Sequence, residues 1–166
     1  MQQNSVYFGV AQRTANAMLP HSTTLAIGCA QLASKSVPAH HIRATVQGVM
    51  TLQTMCHGLA RASGWWDEYD SMPEQFRKYF IGTKISLVHS EVSETLEGAR
   101  KGLADNHLKH RKAVEVELAD AVIRIFDLAG GLDLDLTGAI IEKLAYNQHR
   151  ADHTREARST EGGKSF

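Results

Sequence analysis

"HSEVSETLEGARKG", residues 89–102, and "EVELADAVIRIFDLAGG", residues 115–131, decide how this chain is read. Glu91, Glu94 and Glu97 recur every third residue, and Glu117 and Asp120 repeat that spacing about 20 residues later. Both stretches carry apolar residues at helical spacing and no proline, so each reads as an amphipathic helix. Positions i and i+3 of a helix lie about 5–6 Å apart. Glu91 projects with Glu94, therefore, and Glu117 with Asp120.

Working outward, the apolar stripe Ile81, Ile85, Val88, Val92, Leu96 and Ala99 predicts a helix over 74–101, opened near Pro73 and closed by Gly102. Val114, Leu118, Val122, Ile125 and Ala129 predict another over 111–129, ended by Gly130-Gly131. Upstream, 41–62 reads as a helix with Val46, Val49, Met50, Met55 and Leu59 on its apolar face. Downstream, 134–150 reads as one with Leu136, Ile140, Leu144 and Tyr146 inward. Residues 11–18 and 24–33 are short helix candidates. Period-two alternation and hairpin turn signals are lacking. The fold class is all-α: an antiparallel bundle of about four to five helices. Residues 1–40 form an N-terminal extension, 41–150 the main domain and 151–166 a polar tail.

Composition narrows the function classes. Lys plus Arg and Asp plus Glu number 18 each, so the basic excess of a nucleic-acid binder is missing. No apolar run is long enough to span a membrane, and the polar start "MQQNSVYF" lacks a signal-peptide pattern. Cys29 and Cys56 lie in apolar helical surroundings without metal spacing, as reduced thiols of a cytoplasmic protein would.

If the two acidic helices pack antiparallel, four carboxylates meet at the core edge and repel. A divalent cation resolves that repulsion, and an all-oxygen ligand set suits Mg²⁺ or Mn²⁺. A solvated helix face is the ordinary explanation of one Glu-x-x-Glu; two such pairs on neighbouring helices favour the metal. A di-iron bundle would need Glu-x-x-His motifs, which the chain lacks. Lys143, Asn147 and Arg150 share one face of the last expected helix and suit phosphate, although cations also favour any helix C-terminus. Trp65 and Trp66 could stack on a base or pack a helix end. His89, Gln53 and His57 are candidate substrate contacts from position alone.

"GWWDE" (64–68), "KISLVHSEVSETLEGARKG" (84–102), "ELADAVIRIFDLAGGLDLDL" (117–136) and "AIIEKLAYNQHR" (139–150) together resemble the MazG-like all-α nucleoside triphosphate pyrophosphohydrolases. The short, often phage-encoded, single-domain members are the most similar, and the resemblance covers roughly 58–150. Residues 1–45 and the stretch after Arg150 depart from it. The resemblance implies metal ligation by Glu91, Glu94, Glu117 and Asp120, with two or more ions per site. It implies phosphate contacts from Lys143 and Arg150, with Asn147 between them, and a homodimer or homotetramer. The implied reaction cleaves a (deoxy)nucleoside triphosphate between the α and β phosphates. Glu94 is the first candidate for general base and Glu97 the second. A purine nucleotide such as dGTP is the favoured substrate; dUTP, dCTP or a non-canonical nucleotide is the alternative. A non-catalytic, nucleotide-sensing oligomer is the rival class, and the presence of all four carboxylates argues against it.

Overall fold

A computed structural model describes residues 22–160, and these form helices, turns and loops without a strand. The helix candidate at 11–18 and the end of the tail, 161–166, lie outside the described residues. Seven α-helices follow in order: α1 Ser22–Ser34, α2 Ala39–Ala62, α3 Asp67–Ser71, α4 Glu74–Lys101, α5 Ala113–Gly131, α6 Leu136–Asn147 and α7 Arg155–Ser159. The all-α class is therefore observed. No helix among the described residues is long and apolar enough to cross a membrane.

The chain divides into two compact units, one holding 52–134 and the other 22–51 with 135–160. The first is built on α4 and α5. Gly102, at φ 63°, ends α4 in the left-handed conformation that glycine adopts without strain. The connection to α5 is an ordered turn. Asp105 N donates to Arg111 O at 3.0 Å and Ala113 N to Leu103 O at 3.0 Å. The buried Asp105 carboxylate accepts from His107 N at 2.9 Å and also from Leu108 N. This brings α5 back antiparallel along α4. Gly98 meets Ala113 so closely that an added Cβ would lie 3.0 Å from the alanine's. One heptad along, Glu91 stands with Asp120, and one heptad further Lys84 Nζ donates to Asp127 Oδ2 at 2.8 Å.

The seam between these helices is thus small and polar, which corrects the expected inward stripes. Ile85, Val92 and Leu96 on α4 and Leu118, Val122 and Ile125 on α5 are between 41% and 61% exposed. The buried residues are instead Glu91 and Gly98 on α4, and Ala113, Ala121, Phe126, Asp127 and Ala129 on α5. Met55 and Leu59 of α2 are likewise exposed rather than inward.

Gly130 and Gly131 let two rings approach the end of α5. A Cβ on Gly130 would lie 2.5 Å from His57 Cβ, and one on Gly131 would lie 2.0 Å from the ring of Trp66. Trp66 is fully buried, and its Nε1 donates to Asp127 Oδ1 at 2.7 Å. His57 Nδ1 shares that oxygen at 3.0 Å, and the Lys84 ammonium lies 4.7 Å from the Trp66 ring centroid.

The second unit packs Leu32, Ile42, Ile141 and Ala145 together, with Leu25, Cys29, Val37 and Val46 around them. Gly28 of α1 admits Ile141 of α6: a Cβ there would lie 3.1 Å from its side chain. Asp135 caps α6, accepting from Gly138 N at 2.8 Å. The helix ends at Asn147, short of the expected 150. Arg150 follows in extended backbone (φ −70°, ψ 127°), ahead of a short 3₁₀ turn, Ala151–His153.

Gly131→Ala should cost about 1–3 kcal/mol by overpacking Trp66, seen as a lower melting temperature by circular dichroism. Gly58→Ala, where a Cβ meets nothing within 4 Å, should instead stabilise by about 0.5–1 kcal/mol. Equal shifts in the two variants would contradict the packing described.

Candidate metal centre

Three of the four expected carboxylates converge. Glu91 from α4, and Glu117 and Asp120 from α5, each offer an oxygen within 4.8 Å of the others. The register places them: Glu91 and Asp120 share a seam layer, and Glu117 lies one turn before Asp120. Glu91 is only 6% exposed, and the other two are half-buried.

Their electrostatics are unbalanced. Arg124 Nε donates to Glu91 Oε1 at 2.6 Å, whereas among the described residues neither Glu117 nor Asp120 forms a salt bridge. Partial burial pushes the Glu117 carboxyl above its ordinary value, helped by the charge of Glu94 and by the hydrogen bond and charge of Glu91. Burial likewise raises Asp120, with the charge of Glu91 adding to it and Arg124 opposing. Partly buried, crowded carboxylates with a surplus of negative charge suit a hard divalent cation, and every donor is oxygen.

Glu94 is exposed, accepts from Ser90 Oγ at 3.0 Å and lies outside the group of three, yet its charge bears on both Glu117 and Asp120. Glu97 is exposed and pairs with Lys101. His89 and Trp65 are exposed. Gln53 is buried, and its amide donates to Leu134 O at 3.1 Å. Lys143, Asn147 and Arg150 belong to the second unit. There Lys143 lies 4.7 Å from the Tyr146 ring centroid, the Asn147 Oδ1 atom is buried without a hydrogen-bond partner, and Arg150 pairs with Asp152 at 2.6 Å. With α6 ended at Asn147, the shared helical face expected of Lys143 and Arg150 is not formed.

Arg124, Lys84 and Asp127 were missed by the sequence reading. Their signal is a charge inside an apolar run: "AVIRIFDLA" (121–129) interrupts its hydrophobic residues twice, and Asp127 lies one heptad from Asp120. Asp127 is the second buried acid of the seam. Burial alone would raise it, but hydrogen bonds from His57, Lys84 and Trp66 outweigh that and hold it below the ordinary carboxylate range. Comparison with protein-family models, curated proteins and solved structures finds no match to this chain.

Two opposed pH limbs follow. Folding raises the affinity of Glu117 and Asp120 for protons, so stability falls as pH rises from the ordinary carboxylate value of about 4 through their raised values. Asp127 acts with the opposite sign: its contribution is present above about pH 4 and is lost as pH falls through its depressed value. Melting of the metal-free protein should therefore climb on mild acidification and drop in strong acid. Glu117→Gln should flatten the first limb, and Asp127→Asn the second. Millimolar Mn²⁺ should suppress the first, because the cation replaces the proton.

Proposed function

We propose that the chain is a metal-dependent nucleoside triphosphate pyrophosphohydrolase. The convergence of Glu91, Glu117 and Asp120 on one helical hairpin carries the reading. The Glu-x-x-Glu and Glu-x-x-Asp pattern on which the MazG-like resemblance rests supports it. Mg²⁺ or Mn²⁺ bound there would offset phosphate charge and lower the pKa of a water. The residues of the chain would do the rest. Glu91, Glu117 and Asp120 hold the cations. Glu94, exposed beside them and less constrained, is the acceptor for a proton from the attacking water. The phosphate contacts of Lys143, Asn147 and Arg150 rest on the resemblance, as does a purine deoxynucleotide such as dGTP as substrate.

The exposed apolar residues of α4 and α5 support a second part of the reading, a homo-oligomer. Ile85, Val92, Leu96, Leu118, Val122 and Ile125 recur at helical spacing, and a second copy would take them out of water. Light scattering at micromolar concentration should return at least twice the chain mass of 18.3 kDa; a value at that mass would count against it.

Pyrophosphate release, measured with Mg²⁺ and Mn²⁺ over a panel of ribo- and deoxynucleotides, tests the activity and reads out the base. Asp120→Asn should lower turnover at least about 100-fold, since loss of a mere outer partner of a metal ligand costs about 10–100-fold. Its metal-free melting temperature should hold or rise, because a crowded charge is removed. Arg150→Ala should lower kcat/KM by about 10²–10³-fold if it meets developing phosphate charge. Near-normal activity in that variant would leave Arg150 only its ion pair with Asp152. Silence across the whole panel with both metals would overturn the enzyme reading.

A further inference from the structure

Glu91 is engaged before any cation arrives. The Arg124 guanidinium donates to Glu91 Oε1 at 2.6 Å; the Glu91 side chain is 8% exposed and that of Arg124 41%. Arg124 stands one turn beyond Asp120 and two turns beyond Glu117, on the α5 flank that carries both. A guanidinium does not lose its proton in a protein, so this positive charge is permanent. It has two consequences. It offsets part of the mutual repulsion of three crowded carboxylates. It also repels a dication entering the same cluster, and it occupies an oxygen lone pair of the most buried ligand.

We propose that Arg124 is a resident counter-ion that holds down the affinity of the Glu91, Glu117 and Asp120 cluster for free divalent cation. The inference rests on the metal reading above and adds a regulator to it. The empty cluster keeps part of its charge offset by Arg124, so it tolerates the absence of metal and resists filling by free cation. A single charge about 6 Å from a dication changes affinity by at least roughly tenfold, the value reached even at the dielectric of bulk water.

The probe is Mn²⁺ alone, titrated into the full chain. Free Mn²⁺ is followed by electron paramagnetic resonance and the protein by its melting temperature. Arg124→Gln should bind Mn²⁺ at least about tenfold more tightly than the wild type and melt lower without metal. Arg124→Lys, which keeps the charge, should stay within about twofold of the wild type. Adding Glu117→Gln to Arg124→Gln should abolish the gain, which places it at this cluster. Arg124→Met, which keeps the apolar stem, is the second neutral variant should the glutamine disturb folding. A wild type that binds Mn²⁺, with neutral variants that bind it equally or more weakly, overturns this inference alone; Arg124 would then orient Glu91 or merely pack. Absence of any Mn²⁺ site in the wild type and the neutral variants would overturn the metal reading and this inference together.

Discussion

The antiparallel register of α4 and α5 is the constraint on which the first unit depends. Gly98 against Ala113 sets it, because only residues that small let two helices come so close. Every later layer is one heptad on, so Glu91 meets Asp120 and Lys84 meets Asp127 without further choice. A slip of one residue in either helix would turn Glu91 and Asp120 away from each other and dissolve the acidic cluster. The ordered turn tied by Asp105 holds the same register from the other side.

The seam then solves two electrostatic problems differently. Asp127 is buried but fully supplied: an indole N–H, an imidazole nitrogen and an ammonium converge on its two oxygens. Such a satisfied buried group specifies one arrangement, since removing a partner leaves an uncompensated charge. Of Glu91, Glu117 and Asp120, only Glu91 has an ion-pair partner among the described residues, the Arg124 guanidinium. Two acids of one helix, one heptad apart, therefore have opposite characters, one structural and one left short of positive charge.

The glycine pair at the end of α5 links this seam to α2. Helix interiors disfavour consecutive glycines, and here the missing side chains are occupied by His57 and Trp66. Those rings are also partners of Asp127, so close packing and charge compensation rest on the same contact. Trp65, next along the chain, is exposed: adjacent residues at a helix end point in different directions, and only one can enter the core.

How much of this was legible in the residues themselves differs by element. Helix periodicity, Pro73 and Gly102 determined α4 to its ends, and the glycine pair marked the end of α5, because those signals are local. The acidic spacing determined that Glu117 and Asp120 share a face. Periodicity also pointed to the wrong inward stripe. It seeks apolar residues, and this seam is built from glycine, alanine and paired charges, while leucine, isoleucine and valine beside it stay exposed. Burial here follows how closely two backbones approach, which no single helix records. The partners of Asp127 and Glu91, and the stop of α6 before Arg150, were likewise decided in three dimensions. Residues 43 and 70 positions away from Asp127 supply its charge compensation, and only the folded register brings them there.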